Sequence, residues 1–186
     1  MRLFIAIEIP SEIRKGFAAF LSELRAVAPT AKWVRAENLH VTLKFLGHTD
    51  PSNLEKIVNA LRAIRNSQPV TLEFRGLGFF PNERRPRVFW AGMDSSPNLQ
   101  PLGQDIDRSM NALGFSLEER PFAPHLTLAR FNPPGLPPAL AAALKQHASR
   151  KFGSVTAREF HLIESKLKPS GAEYTTLQSF SFVAET

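Results

Sequence analysis

Two short stretches carry the same polar pattern inside apolar runs: LHVTLKFLG at Leu39–Gly47 and APHLTLAR at Ala123–Arg130. Each sets a histidine two residues before a threonine, with apolar residues between and after them. The chain has five His and nine Thr in 186 residues. Random placement gives well under one such triplet, and the repeated apolar setting makes coincidence rarer still.

In an extended strand, side chains i and i+2 project to the same face. His40, Thr42 and Lys44 then share one face, and Val41, Leu43 and Phe45 share the other. His125, Thr127 and Ala129 likewise share a face. Arg130 has the opposite parity and joins them only through a bulge or past the regular end of the strand. The apolar faces anchor in a core, where Phe45 is expected to be buried, and the polar faces look into a cleft. Two imidazoles and two hydroxyls around one point suit a phosphate. Threonine hydroxyls donate to its oxygens. Two histidines with ordinary pKa values near about 6.5 divide the proton work at neutral pH. One, neutral, takes a proton from water; the other, protonated, gives one to the leaving oxygen.

Either stretch alone reads as a hydrogen-bonded histidine beside a favoured strand former. The two together point to a site. His48, His147 and His161 lack the pattern and keep the plain structural reading. Zinc is the other use of paired histidines. There is no His-x-x-x-His pair, no Cys and no acid at a motif position, so neither metal nor cofactor is expected.

The lack of cysteine removes disulfides, thiolate ligands and cysteine nucleophiles together, and fits a reducing compartment. The N-terminal apolar run is short and broken by Glu8, unlike a signal peptide. No run approaches the roughly 20 apolar residues that span a bilayer. A soluble, cytoplasmic, monomeric protein with no membrane partner is the expectation. A net charge of +6 and a pI of about 10.1 favour anionic partners such as RNA.

The elements that must position the motifs follow from periodicity. Strands are expected at 2–9, 32–35, 39–46, 70–77, 87–93, 122–131, 155–167 and 173–183. A helix over 11–27 carries Ile13, Phe17, Phe20, Leu21 and Leu24 on one face, with Ser11 as cap. Asp50-Pro51 starts a second helix that buries Leu54, Ile57, Val58, Leu61 and Ile64. Two more cover 99–113 and 139–147, the last preceded by the stiff connector NPPGLPP. Single helices mixed with strand pairs argue for an α+β fold with mostly antiparallel pairing, not a doubly wound parallel sheet. The motif strands fall in different halves, which suggests two duplicated lobes.

At these residues the chain resembles the 2H phosphoesterase superfamily, with its two His-x-Thr/Ser-x motifs, and most of all the RNA 2′,3′-cyclic phosphodiesterase (2′-5′ RNA ligase) family. MRLFIAIEIP resembles the opening strand, WVRAENLHVTLKFLG and RPFAPHLTLAR the motif blocks, and LIESKLKPSGAEYTTL the closing hairpin. The resemblance covers nearly the whole chain. It implies a single domain, 1–186, of two pseudo-symmetric lobes whose antiparallel sheets line a central cleft. It implies RNA ends bearing a 2′,3′-cyclic phosphate as substrate and a 2′-phosphate as product, without metal. His40 and His125 would be catalytic, and Thr42 and Thr127 would bind the substrate. Carried over residue by residue, His40 would protonate the O3′ leaving group and His125 would activate water; the residues themselves do not distinguish these roles from their exchange. Arg130 matches a phosphate-contacting arginine after the second motif, and a guanidinium fork suits a pentacoordinate phosphorus. Lys44 is a further substrate-binding candidate on parity. Phe45, Phe122 and Tyr174 are candidates for base stacking, with burial expected for Phe45 on parity and core packing the plainer reading for the other two. Two other functions stay open: a phosphodiesterase for small cyclic nucleotides or 2′-5′ oligonucleotides, and a non-catalytic RNA-binding module.

Overall fold

The computed structural model describes residues 1–65 and 68–182. Nine strands and four α-helices follow one another among them as β1 (Arg2–Glu8), α1 (Ser11–Val27), β2 (Lys32–Trp33), β3 (His40–His48), α2 (Leu54–Arg62), β4 (Val70–Phe80), β5 (Val88–Ser95), α3 (Leu99–Asn111), β6 (Leu126–Arg130), α4 (Pro138–Leu144), β7 (Lys151–Ala157), β8 (Glu159–Lys168) and β9 (Gly171–Ser181). Val183, the expected end of the closing strand, lies outside the described residues. No helix among them is long and apolar enough to cross a membrane.

The strands form two sheets, ordered β3-β1-β8-β9 and β2-β6-β5-β4-β7. Every pairing is antiparallel. The expected α+β class with antiparallel sheets is what the chain adopts. The order β1-α1-β3-α2-β4 is echoed by β5-α3-β6-α4-β8. Within each half the first strand pairs with the motif strand, β1 with β3 and β5 with β6. The closing strand of each half crosses to the other sheet: β4 pairs with β5, and β8 with β1. The two halves are interlocked by this exchange.

A single core serves both sheets. Leu3, Ile5 and Ile7 of β1, Phe17, Phe20 and Leu24 of α1, Phe74 of β4, Phe89 of β5 and Ile106 of α3 all belong to it. The helical spacing of α1 puts its buried residues on one stripe, as its sequence implies. Ser11 is the first helical residue rather than the cap, and its helix opens with Arg14 N donating to the Pro10 carbonyl at 3.0 Å. Asp50 does cap: its carboxylate accepts from Ser52 N at 2.8 Å, beginning the short 3-10 turn 51–53 before α2. On its second face β1 contributes Phe4 and Ala6 to a smaller apolar cluster with Ile163 and Tyr174. That is the face shared by His40 and Thr42, because Ala6 lies opposite Thr42 and Glu8 opposite His40.

Candidate active site

His40 opens β3 one residue past a 3-10 turn at Ala36–Asn38, with the buried Leu39 between them. Its Nδ1 lies 3.1 Å from the Asn38 carbonyl oxygen. A carbonyl only accepts, so Nδ1 carries the proton. Asn38 is itself held, donating from Nδ2 to the Ala172 carbonyl at the start of β9. On the other side of the ring, Arg14 Nη2 of α1 donates to His40 Nε2 at 3.4 Å. A guanidinium has no lone pair to offer, so Nε2 is bare, and the ring is the neutral Nδ1–H tautomer. The Tyr174 ring lies 5.5 Å from the imidazole and Phe4 6.0 Å, both edge-on. Burial lowers the His40 pKa from its ordinary value; the hydrogen bond to Asn38 opposes this, and the Arg14 charge lowers it further.

His125 repeats the arrangement one sheet away. Pro124 has no N–H for a ladder, and β6 begins only after the histidine, so the expected strand 122–131 is shorter at its start. His125 Nδ1 lies 2.9 Å from the Ala123 carbonyl, again two residues back. The same reasoning assigns the proton to Nδ1 and leaves Nε2 free. The Phe80 ring stands edge-on at 5.1 Å from this imidazole, and Trp90 follows at 5.3 Å from Phe80. Trp90 faces Thr127 across the strands. Its indole lies flat over Gly78, where a Cβ would fall 2.2 Å from the ring.

A bulge after each threonine decides which later residue joins its face. In β3, Thr42 pairs with Ala6 and Lys44 with Ile5, so Leu43 is extra. Leu43 and Lys44 both turn inward, and Phe45 turns out beside Phe4. Strict alternation therefore fails after Thr42. Phe45 is 62% exposed rather than buried. Lys44 leaves the His40 face; it is 2% exposed, ion-pairs with Asp107 of α3 and donates to the Ser116 carbonyl at 2.9 Å. Its expected place beside substrate is corrected accordingly. In β6, Thr127 pairs with Trp90 and Ala129 with Phe89, so Leu128 is extra. Leu128 and Ala129 are both buried, and Arg130 turns out, exposed, onto the face of Thr127. The bulge that removes Lys44 from one site face is the device that brings Arg130 to the other.

β3 and β6 belong to different sheets yet come within 8 Å of each other, Cα to Cα. The charge of Arg130 also reaches Tyr174, where it opposes the burial that raises the phenol's pKa. A cavity of about 270 Å³ opens beside His40, with Arg14, Arg35, Asn38, Tyr174 and Thr176 in its wall. Tyr174 is half-buried: it packs on Phe4, as the core reading has it, and also lines this cavity. Phe122 packs against the core at Gly103. His161 is buried and bonded to Ser179 Oγ at 2.9 Å, His147 lies against Phe20, and His48 is exposed, so none joins the motif histidines. Among the described residues no three His, Asp or Glu side chains gather as a metal site needs. Arg14 and Phe80 are the neighbours that the strand pattern does not reveal. Arg14 sits on an amphipathic helix far from His40 in sequence. The only local hint at Phe80 is an aromatic at the mouth of an arginine-rich turn.

Duplicated halves, each with a His-x-Thr strand whose imidazole presents Nε2, define a two-histidine phosphoesterase. The chain belongs to the LigT-like phosphoesterase family, whose model matches residues 7–90 and again 92–174. An RNA 2′,3′-cyclic phosphodiesterase of Archaeoglobus fulgidus is 35% identical over 180 residues, 97% of this chain and 99% of that one. One from Thermotoga maritima is 31% identical over 183 residues, covering 98% and 96%. Among solved structures, TT0787 of Thermus thermophilus superposes with a TM-score of 0.82 at 30% identity over the whole of both chains. E. coli LigT complexed with 3′-AMP does so at 0.76 and 28% identity over 98% of each.

Proposed function

We propose that the protein hydrolyses RNA 2′,3′-cyclic phosphate ends to 2′-phosphates, with His40 and His125 acting on one phosphorus held between the two sheets. Water attacks the phosphorus, the P–O3′ bond breaks, and the product keeps its phosphate on O2′ with a free 3′ hydroxyl. One bare Nε2 accepts the proton of the water; the other imidazole, protonated on Nε2, supplies the proton that O3′ needs. Thr42 and Thr127 donate to the non-bridging oxygens, and Arg130 meets the charge that grows on them. These steps use imidazoles, hydroxyls and a guanidinium, and call on no metal. Replacing the water by the 5′ hydroxyl of another RNA gives a 2′-5′ linkage by the same path.

The observation that carries this reading is the shared tautomer. Each ring is held by a backbone carbonyl two residues back, and each is thereby left with Nε2 as its reactive nitrogen. The resemblance to characterised families gives His40 the donor role. Its surroundings favour the exchange: burial and then the Arg14 charge disfavour the imidazolium, so a neutral His40 is the acceptor, with the water taking the place of the 3.4 Å Arg14 contact at Nε2, and His125 is the donor. The relatives named as RNA 2′,3′-cyclic phosphodiesterases support the substrate class. The cavity beside His40, with Arg35 and Tyr174 in its wall, favours a second reading, a small cyclic nucleotide as substrate.

The test is turnover in EDTA of an RNA ending in 2′,3′-cyclic phosphate, with the product identified. A 2′-phosphate is expected, with kcat lowered by about 10²–10⁴-fold in His40→Ala and in His125→Ala. Turnover confined to cyclic mononucleotides supports the second reading, and binding without turnover contradicts both.

A further inference from the structure

The turn between β4 and β5, residues 81–87, holds Arg84, Arg85 and Arg87, all exposed. Among the described residues none of their guanidinium groups has a carboxylate within ion-pair distance. The turn is nevertheless pinned. Asn82 Oδ1 accepts from Arg84 N at 3.0 Å and Arg85 N at 3.2 Å, and Arg87 N donates to the Phe80 carbonyl at 2.8 Å. Phe80, at its mouth, is 39% exposed while its ring meets His125. Across the sheet Arg130 pairs with Val88 and Val88 with Phe80. At roughly 4.8 Å per strand, this puts the Phe80 backbone about 10 Å from that of Arg130. A cationic, ordered turn thus continues from the phosphoryl-binding end of β6 by way of an exposed aromatic ring.

Resting on the phosphodiesterase reading above, we infer that Phe80 and the Arg84–Arg85–Arg87 turn form a platform for the single-stranded RNA leading to the cyclic end. The ring stacks on a base, and the arginines follow the backbone phosphates. Aromatic faces and unpaired guanidinium groups are the two features that bind single strands without sequence preference. A mononucleotide has no neighbouring phosphates and gains nothing from the turn. A net charge of +6 alone gives attraction anywhere on the surface; the platform makes it local.

The test is equilibrium binding, by fluorescence anisotropy over a range of salt, of a labelled RNA octamer ending in 2′-phosphate. Competition by 2′-AMP gives the mononucleotide affinity. The double variant Arg84→Ala/Arg85→Ala is compared with Arg25→Ala/Arg62→Ala, which removes the same charge from exposed positions on α1 and α2. The turn variant is expected to bind the octamer at least tenfold more weakly, with the salt slope shallower by about 1.4, the share of two phosphate contacts on a single strand. Phe80→Leu loses on the order of tenfold as well, with a smaller change of slope. An equal loss in the helix variant, an equal loss for 2′-AMP, or an unchanged slope in the turn variant overturns the platform. Because the readout is binding, it decides the platform even if the protein turns over no RNA, a result that would defeat the phosphodiesterase reading separately.

Discussion

Lys44 separates this account from strict strand alternation. Alternation places its ammonium beside His40 and Thr42; the bulge at Leu43 places it inside, against α3. Its side chain is 1% exposed and that of Asp107 19%, with the Ser116 carbonyl as second acceptor and Glu118 Oε1 at 3.8 Å. Lys44→Met keeps most of the stem and removes the charge. Breaking a buried ion pair costs about 3–5 kcal/mol, chiefly because the partner is left uncompensated. Asp107 keeps some access to water and its amide contact from Glu118 N at 3.3 Å, so the lower end, about 3 kcal/mol, applies. A chain of this size loses about 2–4 °C of Tm per kcal/mol, which sets the expected drop at about 6–12 °C. Lys44→Met/Asp107→Leu is expected to recover most of it, since an apolar pair of similar volume carries no stranded charge. Thermal unfolding and kcat/KM on cyclic-phosphate RNA are read in parallel, well below the variant's Tm. Activity within about twofold of wild type is expected, because no interaction with the transition state is lost. A Tm near wild type with KM raised tenfold would show the lysine on the substrate and refute the bulge argument.

Arg14→Gln removes a positive charge that lowers the His40 pKa, so that pKa rises. With His40 as acceptor, the acidic limb of the kcat/KM profile moves to higher pH; a limb that stays, or moves down, removes Arg14 from the account. The same depressed pKa couples to stability. The unfolded chain binds the His40 proton first as pH falls, so this contribution is full above the ordinary histidine value near 6.5 and is lost as pH drops through the lower folded value. Urea unfolding at pH 7.5 and 5.5 is expected to show a larger loss in wild type than in His40→Gln, and equal losses contradict it. Gly78→Ala drives a methyl into the Trp90 ring. Such overpacking costs about 1–3 kcal/mol, and a lowered Tm with a shifted tryptophan emission is expected; an unchanged spectrum shows that the indole does not lie over Gly78.

Much of the fold was legible because its segments obey simple periodicities. α1 shows its buried stripe directly, and the hydrophobic run of β1 marks a strand buried on both faces, whereas the single strand expected over 155–167 is in fact the end of β7 and most of β8, which lie in different sheets. Asp50-Pro51 announces a helix by a capping carboxylate and a pre-set φ. The exchange of β4 and β8 between sheets was not legible, since pairing partners distant in sequence leave no local pattern. In the site, the histidines and threonines could be read from spacing alone. What followed them could not: a bulge inserts one residue without a sequence signature in this chain, and it reverses the facing of Lys44, Phe45 and Arg130 together. Arg14 was hidden for a different reason. Its role comes from a helix laid across the end of β3, a tertiary fact that the amphipathic pattern of α1 does not contain.

The most direct measurement is a crystal structure with a 2′-phosphorylated nucleotide bound. Both Nε2 atoms are expected about 2.7–3.2 Å from oxygens at the reacting phosphorus, on opposite sides of it, with Arg130 donating to the same group. A phosphate held by one histidine while the other ring points elsewhere would contradict the shared-phosphorus mechanism.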